Sequence, residues 1–124
     1  MAPNQVIYFV TWRVAARQED LSSDERDLIV VAMKRFDNVR YHLDGYVVMN
    51  DHVHALVTPL GSYRLREILH SWKSFTAREM QHEHHRFGQV WQHEYFDRIV
   101  RDEKEFIQKL HYIARNPSKE VARR

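Results

Sequence analysis

Two histidines one residue apart open the chemistry of this sequence. In Asp51-His52-Val53-His54 the imidazoles stand at i and i+2. On a strand those positions share a face, so the pair offers two nitrogen donors to one divalent ion. Val53, Ala55 and Val57 then turn the other way, into a core. The same spacing also suits two partly exposed strand histidines with no ligand. A second pair is Tyr112 and Asn116, at i and i+4, one above the other on a helix. Placing residues at ~100° intervals gathers Phe106, Ile107, Leu110, Ile113 and Ala114 into a buried stripe and puts Tyr112 on the far side. A phenol and a carboxamide on one turn can serve as nucleophile and metal ligand. They can equally be an exposed tyrosine and the residue that ends a helix before Pro117.

Two further clusters are polar and aromatic. Trp91-Gln92-His93-Glu94-Tyr95-Phe96-Asp97-Arg98 interleaves rings with charge, as a base-stacking platform does and as a strand with one buried aromatic face also does. His82-Glu83-His84-His85 fits a solvated loop after a helix.

These groups need a scaffold. Gln5 to Arg13 has apolar residues in both alternating sets, which predicts an inner strand. Ser22 and Glu25 stand at capping-box spacing and open a helix running to about Phe36, with Leu28, Val31, Ala32, Arg35 and Phe36 as its inner stripe. Tyr41–Met49 and His52–Thr58 predict a hairpin turning at Asn50-Asp51. A long helix follows from about Arg64 to Glu83, with Leu65, Ile68, Leu69, Trp72, Phe75 and Met80 inward. Val90–Val100 is a strand or strand plus turn. Asp102 and Glu105 start a last helix that ends near Asn116-Pro117. The order β-α-β-β-α-β-α predicts an α+β fold, an antiparallel sheet with packed helices of ferredoxin-like or RRM-like type. Residues 1–117 form one domain and 118–124 a short basic tail.

Composition narrows the function. A chain of 124 residues is one domain's worth. It has no cysteine, which excludes disulfides, thiolate metal sites and thiol chemistry. Its three glycines form no phosphate-binding loop. No apolar run approaches a membrane span and no signal peptide is apparent, so the expected address is cytoplasmic, with no membrane partner. Residues 1–62 carry 6 Lys/Arg against 8 Asp/Glu, and residues 63–124 carry 13 against 9. A basic second half is compatible with a nucleic-acid partner. Arg66, Lys73, Arg78 and Arg98 lie there, off the apolar stripes, and are the candidate phosphate contacts.

In this order the pieces resemble the HUH single-tyrosine transposases, and within them the REP-associated tyrosine transposases. The family's His-hydrophobe-His is matched by His52-Val53-His54. Its following stretch is similar to Val90-Trp91-Gln92 through Phe96-Asp97 and then Ile99-Val100-Arg101-Asp102-Glu103. Its catalytic helix, Tyr-Ile-x-x-Asn-Pro, is matched by Tyr112-Ile113-Ala114-Arg115-Asn116-Pro117. His93-Glu94 stands where a glycine or basic residue is common. The resemblance implies Tyr112 as nucleophile, with His52, His54 and Asn116 as ligands of Mg²⁺ or Mn²⁺. It implies an endonuclease that cuts and rejoins single-stranded DNA beside REP-like hairpins through a 5′-phosphotyrosine link, as a monomer or homodimer. The alternative is a non-catalytic, domesticated binder of hairpin DNA. Intact Tyr112, His52, His54 and Asn116 argue against it, since a binder could lose any of them. A histidine-triad hydrolase would need another alternating histidine, and position 56 is leucine.

Overall fold

The computed structural model describes residues 5–115 in full and the backbone of Lys119–Glu120. The elements are β1 (Ile7–Arg13), α1 (Ser23–Lys34), β2 (Tyr41–Val48), β3 (His52–Pro59), α2 (Leu65–Glu83), β4 (Phe96–Val100), α3 (Glu103–Ala114) and β5 (Lys119–Glu120). The strands form one sheet in the order β4-β1-β3-β2-β5, with antiparallel neighbours throughout. The α+β fold thus follows the expected order. β5, by contrast, forms where a tail was expected, pairing Glu120 with Tyr46 and Lys119 with Val47. Its backbone occupies hydrogen-bonding positions that β2 would otherwise present as an open edge.

The alternation of side chains splits the sheet into two faces of unequal thickness. Val10, Trp12, Val53, Ala55 and Val57 point to the face covered by α1 and α2, where Ile29, Met33, Leu69, Trp72 and Met80 complete the larger core. Ile7, Val47, Leu56 and Val100 point to the other face, where Ile113 of α3 closes a smaller core. Two of the three indoles buried on the thick side are hydrogen-bonded, while Trp12 Nε1 has no partner among the described residues. Trp72 Nε1 donates to Tyr41 Oη at 2.9 Å, and Trp91 Nε1 donates to Thr76 Oγ1 at 2.9 Å. Ser22 and Glu25 form the expected capping box. Glu25 is also paired with Arg86, whose guanidinium reaches the carbonyls of Glu19 and Asp20. That clamp lashes the end of α2 to the start of α1.

Two expectations are corrected and one open reading is resolved. The buried residues of α1 are Glu25, Ile29, Ala32 and Met33, while Val31 is exposed. Six consecutive apolar residues, Leu28 to Met33, leave the helix's phase unset by pattern alone, and docking chose it. On α2, Thr76 is buried, and Phe75 is half-buried. The Val90–Val100 stretch is a strand only from Phe96. Before that, Trp91 makes a single bridge to Val14.

Gly45 sets how closely α3 approaches. It follows a register shift in β2 and lies opposite Leu56, on the α3 face. A Cβ there would stand 3.0 Å from Leu110 Cδ2 and 3.7 Å from Ile113 Cδ1. Gly45→Val should therefore lift α3, at a cost of about 1–3 kcal/mol. Hydrogen exchange would rise across α3 and stay protected in α1 and α2. Unchanged α3 protection would show that Leu110 simply swings aside.

Candidate metal and nucleophile site

The pairing of β1 with β3 builds the site. Thr11 lies opposite His54 and Arg13 opposite His52. Both imidazoles project to the α3 face, with ring centroids 4.7 Å apart and planes at 79°. Val53, between them, is fully buried in the opposite core.

Each ring is held by one nitrogen. Asp51 Oδ1 lies 2.6 Å from His52 Nδ1. The hydrogen bond from His52 holds the Asp51 carboxyl below the usual carboxylate range. An ionised carboxylate only accepts, so His52 Nδ1 carries the proton, and Nε2 is the nitrogen left to face a metal. His54 Nδ1 lies 2.8 Å from Thr11 Oγ1. The His54 ring stacks on Phe9, centroids 5.3 Å apart at 18°. Burial, followed by the nearby His52, Arg13 and Lys109, pushes the His54 pKa down to about 4. His54 is therefore neutral near pH 7, as a metal ligand must be.

α3 brings the phenol. Asp102 caps it, its carboxylate accepting from the Glu105 N–H at 2.8 Å, and Glu105 also pairs with Arg98 of β4 at 2.8 Å. The Tyr112 ring stands edge-on to His54 at 5.4 Å and to Phe9 at 6.2 Å. This corrects the expected phase of the helix. Tyr112 flanks the sheet instead of opposing it, and Ile107, expected inside, is 44% exposed. Lys109 shares the inward side, its ammonium 4.7 Å over the Phe9 ring. Asn116 lies outside the described residues. Among these, no group of three His, Cys, Asp or Glu side chains is placed to hold a metal, which also leaves the 82–85 histidine run without such a cluster. His52, His54 and Tyr112 are thus together, with Arg13 and Lys109 adding positive charge.

The four candidate phosphate contacts are distributed over α2 and β4. Arg66 and Arg78 are exposed on α2. Lys73 donates to the carbonyls of Gln92 and His93 at 2.7 and 3.0 Å, and burial lowers its pKa. Arg98 is paired with Glu105. Tyr95, in the aromatic run before β4, is half-buried against the larger core. Spacing did not single out Thr11, Arg13 and Lys109. Lys109 was findable, standing three residues before Tyr112 on one helix face. Thr11 and Arg13 needed the strand pairing.

The described chain contains no helix long and apolar enough to cross a membrane. A family model described as "Transposase IS200 like" matches residues 3–116. Among solved structures, a REP-associated tyrosine transposase bound to a REP hairpin superposes with a TM-score of 0.75 at 19% identity, covering 90% of this chain. This chain spans 66% of that one, just under two thirds. A Deinococcus radiodurans R1 protein assigned as a transposase superposes with a TM-score of 0.63 at 21% identity, covering 89% of each chain. No curated protein matches.

The depressed His54 pKa has a signed consequence. The unfolded chain takes up a proton near pH 6.5, whereas the folded chain resists until about 4. Stability is full above pH 6.5 and falls between 6.5 and 4, by up to about 3 kcal/mol, flattening below. Urea denaturation of chelator-treated protein across this range should show the slope, and His54→Phe should remove it. Equal slopes in the two proteins would place the titration elsewhere.

Proposed function

The chain belongs to the IS200-like transposase family, and on that premise we propose that it cuts and rejoins single-stranded DNA beside a hairpin, with Tyr112 as nucleophile. The observation that carries this is the Tyr112 ring at 5.4 Å from His54, beside the paired imidazoles. The hairpin partner is carried over from the REP-bound structural neighbour.

His52 and His54 would hold the metal, with Asn116 as the third ligand. Neutral imidazoles suit Mn²⁺ better than the oxygen-seeking Mg²⁺. When bound, such an ion would polarise the scissile phosphate and take up its developing charge. The chain's own residues do the remainder. Tyr112 Oη bonds to phosphorus as the P–O3′ bond breaks. The phenol's proton ends on the departing 3′ oxygen, leaving a 3′-OH and a 5′-phosphotyrosine. The ester keeps the bond energy, so a second 3′-OH can reverse the step without ATP. Arg13 and Lys109 favour an approaching phosphate. Asp51 and Thr11 keep the two rings turned, each through Nδ1.

Tyr112→Phe should abolish protein-linked DNA on a denaturing gel with labelled hairpin substrate and Mn²⁺, while hairpin binding persists. Tyr95→Phe should keep substantial cleavage. An adduct formed by the Tyr112→Phe protein would sink the assignment. Wild-type protein that binds hairpins but never forms an adduct would instead be a non-catalytic binder. Asp51→Ala should weaken Mn²⁺ binding about 10–100-fold by calorimetry. Undiminished affinity would show that His52 needs no partner to hold its tautomer.

A further inference from the structure

In the aromatic stretch before α3, packing leaves one ring unexplained. Trp91 is buried and bonded to Thr76, and Tyr95 packs on the larger core. Phe96, the first residue of β4, is 69% exposed and belongs to neither core. Strand register gives its position. Phe96 lies opposite Thr11 and Thr11 lies opposite His54, so the three form one row across β4, β1 and β3. Directly opposite residues share a face of the sheet. Val100, an even number of residues further along β4, packs in the smaller core with Ile113 of α3. The Phe96 side chain therefore stands on the histidine face. Two strand spacings, roughly 10 Å, separate its backbone from that of His54.

α3 borders this row. Glu105, Lys109 and Tyr112 recur at helical spacing and meet successive strands. Glu105 pairs with Arg98 of β4, Lys109 lies over Phe9 of β1, and Tyr112 stands beside His54 of β3. The exposed ring is thus at one end of the row and the phenol at the other. Arg98 neutralises Glu105, while Lys109 and Arg13 add positive charge near His54. A phosphate held at the histidines carries a nucleotide on each side, within reach of a ring two strands away. A flat apolar ring, open to solvent beside a phosphate site, suits a nucleobase, since every base has a π-face to stack on it. One ring is far too small to hold a protein surface. We propose that Phe96 stacks on the base of the nucleotide flanking the phosphate held at the histidines, and so keeps the strand in register for the cut. The inference rests on the DNA-cutting function proposed above and adds a base contact to it, on the same side of the sheet as Tyr112.

The test is fluorescence anisotropy in Mn²⁺ with a labelled DNA hairpin bearing a single-stranded flank, using Tyr112→Phe protein so that nothing is cut. Adding Phe96→Ala should raise Kd at least about fivefold. The slope of log K against log salt should stay the same, because no phosphate contact is lost. Phe96→Trp should keep the affinity and Phe96→Leu should not, which separates stacking from apolar burial. An abasic site walked along the flank should weaken binding of the parent protein at one position by a similar factor. That loss should vanish in the Phe96→Ala protein. With Tyr112 restored, the cut should map beside the same position. Unchanged Kd in the alanine variant would overturn the proposal. So would a loss spread evenly over every abasic position, or a sensitive position remote from the cut. Protein that shows the abasic signature but never cuts would overturn only the nuclease. Protein that does not bind the single-stranded flank would overturn both readings.

Discussion

The pairing register of β1 against β3 is the constraint on which the rest depends. It puts Thr11 beside His54 and Arg13 beside His52, and it aims both imidazoles at α3. Strand alternation has a period of two, so a slip of one residue would send both histidines into the α1/α2 core and Val53 out. The register is held from the apolar side. Val53, Ala55 and Val57 are each completely buried there, with Val10 and Trp12 beside them. Hydrophobic burial on one face therefore fixes the polar geometry on the other.

The two faces are built to different standards. The α1/α2 face has two helices, three tryptophans and satisfied indole hydrogen bonds at Trp72 and Trp91. The α3 face has one helix, held by Ile113 with half-buried Phe106 and Leu110. That asymmetry suits the proposed phosphoryl transfer. The histidines sit on the well-anchored sheet, while Tyr112, the proposed nucleophile, rides on the more lightly held element. His54 is buried enough to stay neutral, and Tyr112 is 43% exposed.

Much of this was legible in the sequence because it is local. The capping box at Ser22 and Glu25, the hairpin around Asn50-Asp51 and the shared face of His52 and His54 are each set by residues a few positions apart. What failed was helix phase. In α1 the unbroken run Leu28 to Met33 carries no periodic signal, and its buried residues are Ile29, Ala32 and Met33. In α3 the cue was a lysine. Lys109, a charged residue, lies over Phe9, and Tyr112 one turn on stands beside His54. Arg35, assigned inward by pattern, is exposed at a groove between α1 and α2. Thr11 was illegible for a different reason. Its partner is 43 residues away, and only strand order brings the two together.

The two-residue turn before His52 serves two purposes at once. The Asp51 carbonyl accepts from Val14 N–H at 2.9 Å and the Asn50 carbonyl from Leu21 N–H at 2.6 Å, so the turn anchors the segment between β1 and α1. The Asp51 side chain meanwhile holds His52. Glycine after asparagine is a favoured pairing in short hairpin turns. Here it would remove the carboxylate. Drift toward an easier turn and retention of an oriented imidazole thus pull position 51 in opposite directions. Laboratory selection for thermal tolerance alone would be free to discard this aspartate, and selection for the proposed DNA cleavage would restore it.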